Sequence, residues 1–205
     1  GFDEIALMPG SQTVNPNEVD TTFEIGGKKF KVPFFTAAMD GVVDVKFAVT
    51  MSELGGIAVL NLDGVQTRYE NPDSVLAQIA KASPAKATEL IQSVYTKPIK
   101  EKLISKRIQE LKRKKGIAVV SCIPAHAEKF SRLAIASGAD IFVVQSTVTT
   151  RKHISREYKS LDLSNFCKST KMPVIIGNCV TYETTVELME TGAAGLLIGV
   201  GPGAA

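Results

Sequence analysis

The sequence predicts an α/β protein whose parallel strands are covered by helices, and three observations carry that prediction. Six short apolar runs, at 33–38, 56–61, 116–121, 140–145, 173–177 and 195–199, are continuous rather than alternating. That character fits strands buried on both faces. Between them lie stretches with apolar residues at three- and four-residue spacing, some preceded by capping residues such as Asn71 before Pro72 and Thr181 before Tyr182. The strand starts, near 34, 57, 117, 141, 174 and 195, are mostly 21–33 residues apart, the length of a βα unit, with one interval of 60. Without a dinucleotide fingerprint, six such units suggest a TIM (β/α)8 barrel that is incomplete in these 205 residues, since a full barrel takes about 250. Periodicity alone leaves a doubly wound sheet open.

In chain order, Thr22 to Val32 reads as a β-hairpin turning at Gly26-Gly27, able to lid the bottom of a barrel. The first apolar run follows, then a helix over Val45–Leu54, the second run and a helix over 72–80. The long interval holds an expected insertion at 83–115, opened by Ser83-Pro84. Its second half carries Ile104, Ile108 and Leu111 as an i, i+4, i+7 stripe, which predicts an amphipathic helix with Lys and Arg outward. After the third run a helix is expected over 125–137, and after the fifth another over 182–191.

Composition narrows the function classes. The chain is 44% hydrophobic and 22% charged, which excludes disorder, and no apolar stretch approaches a membrane span. Three cysteines without paired spacing argue against a disulfide scaffold and for a reducing compartment, and the start shows no signal-peptide pattern. A cytoplasmic protein is expected. Gly1 stands where an initiator Met would, which leaves room for preceding sequence. The net charge of +3 hides an asymmetry: 97–115 holds nine basic and two acidic residues, net +7, so the remainder is net −4. No aromatic residues interleave with these basic ones, so a solvated helix face is expected rather than a nucleic-acid site.

Parallel α/β folds bind ligands at the carboxyl ends of their strands. The residues there are Ala37-Ala-Met39-Asp40-Gly41, Asn61-Leu-Asp63-Gly64, Ser121-Cys122, Gln145-Ser146-Thr147, Gly177-Asn178-Cys179 and Gly199-Val200-Gly201-Pro-Gly203-Ala204-Ala205. This small, polar, glycine-rich set suits a planar phosphorylated ligand better than a metal. Alternating glycines after the last run let backbone N–H groups face an oxyanion, or carbonyls face a monovalent cation. The segment is neither a Walker loop nor a dinucleotide fingerprint. Asp40 reads equally as a ribose ligand or a turn-stabilising residue, and Asn178 as a base or sugar contact. Cys122 and Cys179 have no adjacent activating base and read as buried structural thiols. His126 and His153 match no metal-ligand spacing and read as surface or helix-start residues. From residues alone the chain is a barrel-like nucleotide or phosphate binder.

Taken together, the segments Pro33-Phe-Phe-Thr-Ala-Ala-Met39-Asp40, Leu54-Gly-Gly-Ile57, Ser137-Gly-Ala-Asp-Ile-Phe-Val-Val, Pro173-Val-Ile-Ile-Gly177-Asn178 and Gly195-Leu-Leu-Ile-Gly199-Val-Gly201-Pro-Gly203 resemble the IMP dehydrogenase / GMP reductase family. The opening segment, Asn61-Leu-Asp-Gly and Thr67-Arg-Tyr-Glu are most similar to the IMP-dehydrogenase-related branch lacking CBS domains, which typical members insert where 83–115 lies. The resemblance implies NAD-dependent oxidation of IMP to XMP in guanine nucleotide biosynthesis. Ala37, Met39, Asp40 and Asn178 would then meet the nucleotide, and Gly203 and Ala204 its phosphate. Gln145, Ser146, Thr147, Gly199, Val200 and Gly201 would bind NAD, with carbonyls of Gly201 and Gly203 on a potassium ion. Family chemistry starts with a Cys thiolate at C2 of the base; that Cys is expected directly after Ala205, so these residues alone are expected to be inactive. Gln145 stands where typical dehydrogenases carry an Asp, which puts the usual cofactor contact in question. GMP reduction with NADPH and a non-catalytic nucleotide-binding paralogue are the alternatives. A homotetramer or higher homo-oligomer is expected, with no nucleic-acid or membrane partner.

Overall fold

In the computed structural model, residues 6, 8, 10–155 and 160–201 are described. Strands β1 (Phe23–Ile25) and β2 (Lys28–Phe30) form the antiparallel hairpin, with Phe23 opposite Phe30. The remaining strands are β3 (Phe35–Thr36), β4 (Ile57–Asn61), β5 (Val119–Cys122), β6 (Ile141–Gln145), β7 (Val174–Cys179) and β8 (Gly195–Ile198). They make one parallel sheet in the order β3-β4-β5-β6-β7-β8. Every strand is thus added beside its predecessor. A doubly wound sheet reverses its strand order at a switch point, so the sequential order decides for the curled, barrel-type sheet.

Side chains sort by strand parity. Ile57, Val59, Val119, Ile141, Val143 and Ile175 form one apolar cluster with Phe30, joined by Phe23 and Ile25 of the hairpin. Ala58, Leu60, Val120, Phe142, Val144 and Ile176 belong to a second, larger cluster that includes helix residues. The first set is the inner face of the curled sheet and the second its helix-covered face. The hairpin plugs the amino-terminal end of the inner face: a Cβ on Gly26 (φ +59°) would lie 2.4 Å from Cγ of Pro173, at the start of β7. Both the turn and that close approach require glycine.

The helices are α1 (Val45–Leu54), α2 (Val65–Arg68), α3 (Pro72–Lys81), α4 (Pro84–Thr96), α5 (Glu101–Arg113), α6 (Ala127–Ala136), α7 (Leu163–Ser169) and α8 (Tyr182–Met189). The expected caps form: Asn71 accepts from Ser74 N–H and Thr181 from Thr184 N–H. The segment 83–115 divides between two places. Leu103, Ile104, Ile108 and Leu111 of α5 are fully buried, the last three in the main core, and α5 packs against α1 and α6. It is therefore the layer helix between β4 and β5, while α2, α3 and α4 form a satellite around Val65, Val75 and Val94. Nor do all its cations face outward. Arg107 is buried, donating to the carbonyls of Gln66, Tyr69 and Glu70 at 3.0–3.2 Å and so closing the end of α2. The short α7, capped by Asp162, is an element the apolar periodicity did not announce.

Asp140 fastens the plugged end. It takes Lys28 of β2 at 3.0 Å, Lys112 of α5 at 2.7 Å and the Ala118 N–H at 2.7 Å. Burial pushes its carboxyl up, but these three donors outweigh burial and hold it below the usual carboxylate range. A depressed native value means the unfolded chain binds more protons, so this contribution is full above about pH 4 and lost as acid titrates the native group. Urea unfolding of the wild type and of Asp140→Asn should differ most at neutral pH, and the difference should shrink as the pH falls below about 4. An undiminished difference at pH 3 would contradict the assignment.

Candidate functional site at the carboxyl ends of the strands

The inner-face parity that buries Val59, Val119 and Val143 continues two residues further to Asn61, Ser121 and Gln145. An apolar layer is thus topped by a polar one at the carboxyl mouth of the sheet. Strand β7 reaches the same layer differently. Ile175 is in the inner cluster and Ile176 in the outer, yet Cys179 is also outer, because the register to β8 shifts between Gly177 and Cys179. Such an irregularity re-aims side chains. Asn178 sits within it, half-buried, and its Oδ1 accepts from Gln145 Nε2 at 3.1 Å.

The ends of β6 and β7 are further stitched together. Ser146 N–H donates to Gly177 O (3.0 Å), Asn178 N–H to Ser146 O (3.1 Å) and Thr149 N–H to Asn178 O (2.7 Å). Thr149, which was given no role from sequence, is buried; its hydroxyl donates to Gly177 O and meets the Ser146 hydroxyl at 3.0 Å. Thr147 is exposed beside them. A cavity of about 220 Å³ opens here, lined by Ser146, Val148 and Thr149 on one side and Ile123, Pro124 and Ala125 on the other.

At the far edge Gly199 (φ +100°) and Gly201 (φ +65°) follow β8, and a Cβ on either would meet nothing within 4 Å. Backbone conformation, not crowding, calls for glycine there, and the peptide edge is open to a flat ligand. Val200 between them is exposed. Gly203, Ala204 and Ala205 lie outside the described residues.

At the near edge Ala37 and Met39 are exposed after β3. Asp40 turns away toward α2. Its Oδ2 accepts from Val65 N–H (2.8 Å) and from the Tyr95 hydroxyl, and its Oδ1 is buried against Gly64, where a Cβ would come within 1.9 Å. Of the two readings left open for Asp40, the geometry shows the loop-anchoring contacts. Burial, then the bond to Asp40 and its charge, raise the Tyr95 hydroxyl far above the ordinary phenol value.

Sequence reasoning also missed the pair behind this edge. Asp63 Oδ1 meets His126 Nδ1 at 2.5 Å, and Oδ2 accepts from Ile123 N–H at 2.7 Å. His126, at the start of α6 as expected, also ties the β5–α6 loop to the end of β4. Cys122 is buried, and burial, followed by the Asp63 charge, pushes its thiol well up. Cys179 is fully buried beneath Thr185 and Leu197. Both behave as structural thiols. Among the described residues no group of His, Cys, Asp and Glu could hold a metal ion, and no helix is long and apolar enough to cross a membrane.

A half-barrel with a polar mouth and a glycine edge is shared by many enzymes, so comparison with known proteins decides the family. The IMP dehydrogenase / GMP reductase domain matches residues 1–205. The chain belongs to that family. An IMP dehydrogenase/GMP reductase-like protein from Corynebacterium glutamicum superimposes with a TM-score of 0.90 at 29% identity, over 98% of this chain and 54% of that one. An uncharacterized oxidoreductase of Mycobacterium tuberculosis is 27% identical over 98% of this chain and 55% of its own length. The inosine-5'-monophosphate dehydrogenase of Cryptosporidium parvum is 28% identical over 98% and 51%. The chain spans about half the length of these relatives.

Proposed function

We propose that the chain forms the nucleotide-binding part of an oxidoreductase that converts IMP, NAD+ and water to XMP, NADH and a proton. The observation that carries the reading is the Gln145–Asn178 amide pair at the mouth, between exposed Met39 on one edge and the open Gly199–Gly201 backbone on the other. Amides pair with the edge of a purine base, and a thioether packs on its face. The relatives named above support a purine nucleotide over other planar ligands.

The residues present fit a nicotinamide cofactor: the open backbone of Gly199, Val200 and Gly201 after β8 would leave room for a flat ring, and Thr147, exposed after β6, would offer a hydroxyl. When bound, that group accepts the hydride. Gln145 provides an uncharged carbonyl where typical members have a carboxylate, so a ribose hydroxyl there gains a neutral hydrogen bond in place of a charge-assisted one. Of the two carbonyls expected on potassium, only that of Gly201 belongs to a described residue, and the resemblance carries the ion. Cys122 and Cys179 are too buried to attack a base. Cys167, on α7, is half-buried, with its thiol raised by burial against a smaller opposing bond to Thr191. None of the three is the exposed, activated thiol that nucleophilic attack on a base needs. Incubating the full-length protein with IMP and NAD tests the reading: NADH should form only when IMP is present, whereas oxidation of NADPH with GMP would select the reductase instead.

A further inference from the structure

The satellite helix α4 reaches the mouth through one side chain. The Tyr95 hydroxyl donates to Asp40 Oδ2, across 55 residues of sequence. Asp40 is poorly provided for otherwise. Val65 N–H is the second donor to the same oxygen, and Oδ1 is buried with no hydrogen-bond partner. A carboxylate held by so few donors takes its orientation from each of them. Asp40 follows Met39, whose carbonyl accepts from Val42 and Val43 N–H at 3.0 and 2.8 Å at the entry to α1. The direction of the Asp40 side chain and the presentation of exposed Met39 are set in one turn.

The same tyrosine has a second arm. The Arg68 guanidinium lies 5.7 Å over its ring, bonds the Lys97 carbonyl, and donates from Nε to Asp63 O at 3.1 Å. Asp63 in turn holds His126 and the Ile123 N–H. One residue outside the sheet thus connects the ends of β3, β4 and β5.

We infer that Tyr95 is a positioning residue for the nucleotide site, holding Asp40 so that Met39 is presented at the mouth. The inference rests on the nucleotide reading above. Tyr95→Phe removes only the hydroxyl and keeps the ring under Arg68. Tyr69→Phe is the matched control, because the Tyr69 hydroxyl donates to Val94 O at 3.0 Å and fastens α4 without touching Asp40.

Calorimetric titration of the full-length proteins with IMP, paired with thermal melts, separates the outcomes. Tyr95→Phe should bind IMP about tenfold more weakly, because the loosened Asp40 turn must be re-ordered when IMP binds. Each variant loses one internal hydrogen bond, so both midpoints should fall by a few degrees, on the order of 5 °C, while Tyr69→Phe should keep wild-type affinity. Wild-type affinity in Tyr95→Phe, or equal weakening in both variants, would overturn the inference. Failure of the unsubstituted protein to bind IMP would instead defeat the nucleotide reading itself, and this inference with it.

Discussion

Phe30→Ala should cost about 3–5 kcal/mol of folding stability. Phe30 is 2% exposed and stacks on Phe23 with ring centroids 5.1 Å apart. Around it are the inner-face residues Ile57, Val59, Val119, Ile141 and Ile175, which belong to strands and cannot collapse inward to refill the space. The loss therefore includes both the transfer of an aromatic ring to water and the cavity it leaves. In a domain of this size the melting midpoint should fall by roughly 10 °C. Phe34, four residues later in the chain but 67% exposed, gives the contrast: Phe34→Ala should change stability by less than about 0.5 kcal/mol. Denaturant titrations of both variants measure the difference, and a Phe30→Ala cost below about 1 kcal/mol would show that the hairpin does not plug the sheet.

The second large effect concerns ligand affinity. Asn178→Ala should weaken IMP binding about a hundredfold, because the contact proposed to the ligand is lost together with the bond from Gln145. Gln145→Ala should cost less, about tenfold, since Asn178 stays anchored through its backbone to Ser146 and Thr149. Calorimetric titration with IMP reads both. Equal affinities in Asn178→Ala and wild type would place the base away from β7.

How much of this could be read from the sequence depended on the range of the interactions. Strands β4 to β8 were legible because burial on both faces demands continuous apolar runs, and the caps at Asn71 and Thr181 were legible because they act within three residues. The stripe of α5 was also visible, but nine basic residues in the same segment suggested a peripheral helix; Ile104, Ile108 and Leu111, which dock it into the core, outweighed that charge. The seven-residue α7 offers too few turns for periodicity to register. In the site, strand-end position found Gln145, Asn178 and the Gly199–Gly201 edge. It gave no role to Asp63 or Thr149, whose partners lie across the sheet. Tyr95 was invisible, since nothing in the sequence near residue 95 indicates that its hydroxyl meets the Asp40 carboxylate after β3.

The central claim is that this polar mouth serves IMP oxidation, and the formation of NADH by the full-length protein tests it most directly. The account predicts NADH formation that requires IMP, saturates with it, and falls in Asn178→Ala. Measurable IMP binding with no NADH formed at saturating IMP and NAD would contradict it.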